Sequence, residues 1–276
     1  MLNASATNLP ARLSTLRLVS FIPRQRDAVH VGLLTPDAQH VVDLAHLGIT
    51  DVLEAIDQLE TLRRAAGAIV HGPARTAHAM SDVILVASLP LARSVVAIGA
   101  GDVVGFAEPT TLHGPGSPLS RVDAHSARVG LGAVVGRSIE ATAHCSDDQL
   151  DEVLVGSTVI LGWLHGGDGQ EPALRPGAVG PFLAVPRRRP ESVMLTHVSP
   201  LGTPHAPNAQ QILPAPDDRQ FFAAARAALR THALHPGDLI TIFPDDATVG
   251  ERSPVVPGSW IRVSAPGLGT LSVAVL

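Results

Sequence analysis

From residue 16 onward, short apolar runs alternate with turn residues at intervals that suit strands better than helices. A first run covers residues 16–21, and a turn follows at 23–27. Further strands are predicted at 29–34 and 40–44. The period then lengthens. Val52, Leu53, Ile56, Leu59 and Leu62 recur on one helical face, with acids early and Arg63-Arg64 late, as the helix dipole prefers. This predicts a helix from Asp51 to about Ala66, capped by Thr50 and stopped at Gly67. Residues 1–15 read as a loose leader, and residues 1–90 as a small β-rich N-terminal domain. In residues 91–276, strands are predicted at 95–98, 128–135, 153–164, 239–243 and 261–264. One amphipathic helix, 217–232, interrupts them, with Phe221, Phe222, Ala225 and Leu229 inward and Arg219, Arg226 and Arg230 outward. The fold class is mainly β with some α (α+β).

Composition narrows the chemistry. The 276 residues are 45% hydrophobic and only 16% charged, enough to bury a full-sized core. All 20 basic residues are arginine, and tyrosine is absent, so a lysine Schiff base and a tyrosine general acid are both excluded. This bias fits a GC-rich coding sequence. A net charge of −5 argues against a nucleic-acid partner. The longest basic run, Arg187-Arg188-Arg189 before Pro190, reads as a solvated loop. A single cysteine, Cys145, leaves no disulfide within the chain and suits a reducing compartment. No basic leader runs into an apolar stretch and no segment approaches 18 apolar residues, so a cytoplasmic protein without a membrane partner is expected. There is no Gly-rich phosphate loop, G-x-S-x-G elbow or zinc spacing, and Cys145 beside His144 reads as structural.

A collinear series of motifs over about 260 residues carries a resemblance. It comprises residues 16–21, Gly114-Pro115-Gly116-Ser117-Pro118, Ala133-Val134-Val135-Gly136-Arg137, Val155-Gly156-Ser157-Thr158-Val159, Gly180-Pro181-Phe182-Leu183, His235-Pro236-Gly237-Asp238-Leu239-Ile240-Thr241, Val256-Pro257-Gly258-Ser259 and Gly267-Leu268-Gly269-Thr270-Leu271. In this order the series resembles the fumarylacetoacetate hydrolase family. The resemblance implies a mixed, rolled β-sheet core with a small N-terminal domain, assembled as a homodimer. It also implies Mg²⁺ or Mn²⁺ held by two glutamates and an aspartate, polarising an oxo-acid substrate.

This chain departs from that pattern at the site. Anchored on Gly136-Arg137, the two glutamate positions fall on Arg128 and Gly130, which point the same way on a strand; the aspartate position falls on Gly162. A guanidinium in place of a carboxylate repels a divalent cation, so no metal and no cofactor are expected. The family's catalytic His position is Gly105, whereas its Glu position is retained as Glu108; Asp102 lies in the same segment. His165 and Asp168 follow the lost aspartate in a Gly-rich turn. Arg128, Glu108, Asp102, His165 and Asp168 are therefore the catalytic candidates. The family's "T-G-T-P" loop becomes Thr241-Ile242-Phe243-Pro244, which, with Trp163 and Phe106, suggests an apolar, aromatic substrate pocket. Trp163, Phe243, Phe106, Ile242 and Thr241 are the substrate-binding candidates, the alternative being that they fill the vacated space as core.

The expected function is a metal-independent cyclase, isomerase or lyase of bacterial secondary metabolism, acting on a mainly apolar carbonyl-containing small molecule. A catalytically inactive binding or partner protein is the first alternative, and an ordinary metal-dependent hydrolase or decarboxylase the second.

Overall fold

The computed structural model describes residues 15–72, 76–92, 95–98, 103–107, 110–119, 127–142, 144–165, 173–198, 209–244 and 256–276. The N-terminal part supplies strands β1 (Leu16–Pro23), β2 (His30–Leu34), β3 (His40–Asp43), β4 (Ala77–Ala79) and β5 (Val83–Leu85). Five short strands follow: β6 (Leu91–Ala92), β7 (Val95–Ile98), β8 (Val103–Ala107), β9 (Thr110–Thr111) and β10 (Pro118–Leu119). The long central strands are β11 (Ala127–Val135) and β12 (Leu154–His165), then β13 (Ala173–Val179) and β14 (Leu183–Val185). The remainder are β15 (Ser192–Val198), β16 (Ala209–Pro214), β17 (Leu239–Ile242), β18 (Trp260–Ala265) and β19 (Gly269–Val275).

Twelve of these strands form one sheet, ordered β4-β3-β2-β1-β14-β12-β11-β17-β7-β8, with β13 on β12 and β5 on β1. Five more form a second sheet, β10-β19-β18-β15-β16. No break in the large sheet falls near residue 90, because β1 pairs directly with β14 through Leu16↔Val185 and Leu18↔Leu183. The second sheet packs on one face of β11 and β12. There Val129, Leu131, Val159 and Leu161 meet Val193, Leu195, Ile261, Val263 and Leu271 in a single buried cluster. On the opposite face, Val134, Ile160, Leu239 and Phe243 pack with Leu16, Leu18 and the apolar stripe of the N-terminal helices. β11 and β12 are thus buried on both faces, and their near-continuous apolar sequences reflect it.

The expected helix at 51–66 is two helices, α1 (Val52–Asp57) and α2 (Leu59–His71), broken at Gln58. Asp51, not Thr50, is the cap, its side chain accepting from the Glu54 amide, while Thr50 donates to the Glu54 carboxylate from outside the helix. Gly67 does not stop α2. Ile69 and Val70 continue the buried stripe, and their burial outweighs the cost of about 1 kcal/mol for a helical glycine. The acidic connector after Cys145 is itself a helix, α3 (Asp147–Val153), started by a Ser146–Gln149 capping box. A second capping box, Asp217–Gln220, starts α4 (Asp218–Leu229), whose Phe221, Phe222, Ala225 and Leu229 are buried as the period predicts. Among the described residues, no helix is long and apolar enough to cross a membrane.

In the exposed Arg187–Arg189 loop, Arg187 is the exception to the solvated reading, and both it and Arg189 are ion-paired. Arg187 bridges Asp151 of α3 (2.9 Å) and Asp218 of α4 (2.6 Å), and Arg189 bridges the same two carboxylates (2.8 and 2.7 Å). The Arg187 side chain is only 5% exposed and lies over the rings of Phe221 and Phe222. This four-membered charge cluster clamps two helices to the loop after β14.

His197 is an opposite case. It points inward from β15, is 2% exposed, and neither ring nitrogen has a hydrogen-bond partner. Burial holds its pKa below the ordinary imidazole value. The unfolded chain therefore takes up a proton that the folded one refuses, so stability falls as pH drops below about 6.5 and levels off once the depressed folded value is passed. His197→Leu is expected to flatten that part of the urea-midpoint profile between about pH 5 and pH 7.5. An unchanged slope would assign the acid sensitivity elsewhere.

Candidate functional site

The inherited site is built on the centre of the large sheet. β11 lies between β12 and β17, with Arg128↔Gly162 and Gly130↔Ile160 on one side and Leu131↔Ile242 and Gly132↔Thr241 on the other. Residues paired across antiparallel strands share a face, as do residues two apart on one strand. Arg128, Gly130 and Gly162 therefore converge on one face of the sheet. These are the three positions at which the resembled family places its carboxylates, so the arrangement survives while the ligands do not.

The space for those ligands has also closed. A Cβ on Gly130 would fall inside van der Waals contact of the Ile242 carbonyl oxygen and 2.9 Å from Phe243 Cδ1. Phe243 itself is 1% exposed and belongs to the core cluster on that face. A backbone carbonyl and a phenyl ring thus occupy the root of a would-be glutamate. Beside them stands a fixed cation, Arg128. Among the described residues, no group of three or more His, Cys, Asp or Glu side chains is placed to hold a metal ion. The residues present do not fit a divalent cation.

Arg128 is partly buried, and its Nε has no hydrogen-bond partner. Among the described residues no carboxylate forms an ion pair with it. A guanidinium without a counter-charge at the edge of a closed sheet face is a ready receptor for a planar oxyanion, which it can meet with two parallel N–H donors.

The remaining candidates divide. Ile242 packs in the core cluster between the two sheets, because strand alternation turns it with Leu131 away from Arg128. Thr241 is fully buried, and its hydroxyl donates to the Val96 carbonyl (3.1 Å), fastening β17 to β7. Both are buried among the core residues. Phe243 lies against Gly130 but is covered. Trp163 and His165 lie in β12, where Trp163 pairs with Ala127 and Arg175, and His165 with Ala173. Phe106, in β8, pairs with Val96 in the row of Ala133. That places it three strands from β11, roughly 14 Å across the sheet, and roughly 17 Å along it from Arg128. Asp102, Glu108 and Asp168 lie outside the described residues.

This architecture defines a class: a rolled, two-sheet α+β fold whose central strand pair carries the site, the fold of the fumarylacetoacetate hydrolase family. The maleylpyruvate hydrolase of Sphingobium sp. SYK-6 shares it with a TM-score of 0.67 at 19% identity, covering 94% of this chain and 99% of that one. The 2-hydroxyhepta-2,4-diene-1,7-dioate isomerase of Mycobacterium marinum matches with a TM-score of 0.60 at 18% identity, covering 95% and 98% of the two chains. Fumarylacetoacetate hydrolase of Exiguobacterium antarcticum matches with a TM-score of 0.66 at 17% identity, covering 94% and 99%. No protein-family profile matches the sequence, and no curated protein matches it. The Sphingobium hydrolase has also been crystallised in complex with manganese(II) and pyruvate.

Proposed function

We propose that this chain is an enzyme of the fumarylacetoacetate hydrolase fold that works without a divalent cation on a carbonyl-containing organic acid, as an isomerase, cyclase or lyase. The observation that carries the proposal is the Arg128 guanidinium, whose Nε has no hydrogen-bond partner and which makes no ion pair among the described residues, beside a sealed ligand position. In this reading Arg128 takes the negative charge that develops on a substrate enol oxygen, a charge-assisted hydrogen bond doing the work of a Lewis acid. Structural likeness to both hydrolases and isomerases that act on unsaturated or oxo acids supports the substrate class.

The test uses phenylpyruvate, an oxo acid with an apolar body, in D₂O containing EDTA. Exchange of its C3 protons above the buffer rate, followed by NMR, is the expected result. Arg128→Gln is expected to lower that exchange at least tenfold, about 1.4 kcal/mol of transition-state stabilisation. Exchange that needs added Mn²⁺, or that survives Arg128→Gln, would refute the proposal. Catalytically silent binding is the second reading, favoured by the burial of Phe243 and Thr241 at the site. Saturable phenylpyruvate binding without exchange, lost in Arg128→Gln, selects it.

A further inference from the structure

A cavity of about 540 Å³ lies away from β11, where the start of β1 meets the loop after β14 and the β18–β19 turn. Its lining includes Leu34, Pro36, Ala38 and Phe182 as the apolar side, with Arg17 and Arg188 as the charged groups. Among the described residues, no acidic side chain lines it. Residues 1–14, which lead into its rim at Thr15, contain no aspartate or glutamate either. The volume falls within the range usual for small-molecule sites, and the combination of aliphatic walls, one aromatic ring and a few polar groups is typical of them.

Neither arginine has a carboxylate partner among the described residues. Arg17 donates to the Thr35 carbonyl and lies 5.7 Å over the Phe182 ring. Burial disfavours its charged form, which the field of Asp37 only partly offsets. Asp37 is occupied with the Thr35 hydroxyl (2.5 Å) and the Gln39 amide (3.0 Å) and makes no ion pair with Arg17. Arg188 is exposed, donates to the Thr15 hydroxyl, and carries its aliphatic stem near Gly267. It therefore differs from both neighbours in sequence: Arg187 and Arg189 are neutralised by Asp151 and Asp218, whereas Arg188 turns its charge to the other side. Among the described residues, these two guanidiniums at the mouth of the recess have no carboxylate to neutralise them. They suit a ligand with one anionic end and a hydrocarbon body.

We propose that this recess binds the carboxylate of a small organic acid, with Arg17 and Arg188 receiving the anion and Leu34, Pro36 and Phe182 contacting the hydrocarbon part. The site is independent of Arg128.

Isothermal titration of the full chain with octanoate tests it, with octanol and inorganic phosphate as separate probes. One equivalent of octanoate is expected to bind, with at least tenfold weaker binding of octanol and of phosphate. Arg188→Gln, at an exposed position that leaves the core untouched, should weaken octanoate at least tenfold, and Arg17→Gln should do the same. Arg128→Gln should leave octanoate affinity within twofold. Absence of saturable octanoate binding, or equal affinity in Arg188→Gln, would overturn the proposal. Loss confined to Arg128→Gln would also overturn it, by placing the anion in the inherited cleft.

Discussion

Gly130→Ala is expected to cost about 3 kcal/mol, the upper end of ordinary overpacking penalties. The reason is the identity of what the new methyl group meets. The Ile242 carbonyl belongs to a strand hydrogen-bonded on both sides, to β11 and to β7, and cannot withdraw without breaking a ladder. For a chain of this size the melting temperature should fall by roughly 6–12 °C. Gly132→Ala provides the internal control. Its added methyl would meet only the ends of the Ile160 and Leu239 side chains, which can change rotamer, so about 1 kcal/mol is expected there. Equal losses in the two variants would show that backbone rigidity does not set the cost. By the same reasoning, Arg128→Glu, Gly130→Glu and Gly162→Asp combined should not bind Mn²⁺ in calorimetry while Ile242 and Phe243 remain.

The second large effect is expected where Arg187 is clamped. Asp151→Ala alone removes a half-exposed carboxylate and should cost only about 1 kcal/mol. Asp151→Ala with Asp218→Ala leaves a 5%-exposed guanidinium without a counter-charge, and about 3–5 kcal/mol should be lost in urea denaturation. Adding Arg187→Met to the pair should recover most of that loss, since an unbranched apolar chain can still pack on Phe221 and Phe222. A triple variant no more stable than the double would mean that packing, not unpaired charge, was lost.

These two cases mark where the sequence is legible and where it is not. β1, β11, β12 and β17 follow from local alternation and apolar runs, and α4 from its period, because both signals are contained within the element. The break at Gln58 is not visible in the same way: a helical pattern runs through it, and only tertiary contacts divide it. Ser146 and Gln149 spell a capping box for α3, although no helix is predicted there from the apolar pattern. Arg187 reads as solvated because Asp151 and Asp218 lie more than thirty residues away on either side. At the candidate site, the loss of three carboxylates is readable from motif spacing. The closing of the space is not, since it depends on β17 carrying the Ile242 carbonyl onto Gly130. The same register explains why Ile242 and Thr241 belong to the core rather than to a pocket.

The pairing of Leu16 with Val185 also governs how the chain emerges from the ribosome. β2 covers one edge of β1 early, and β5 covers Phe21–Pro23 on the other. On that second edge the stretch Leu16–Leu18 has no partner until β14 is synthesised. At usual translation speeds that delay is roughly 8–35 s. Throughout it the nascent protein presents a bare strand edge of leucines, the kind of template on which chains adhere to one another. The register therefore closes the last edge of β1 only after β14 has followed it out.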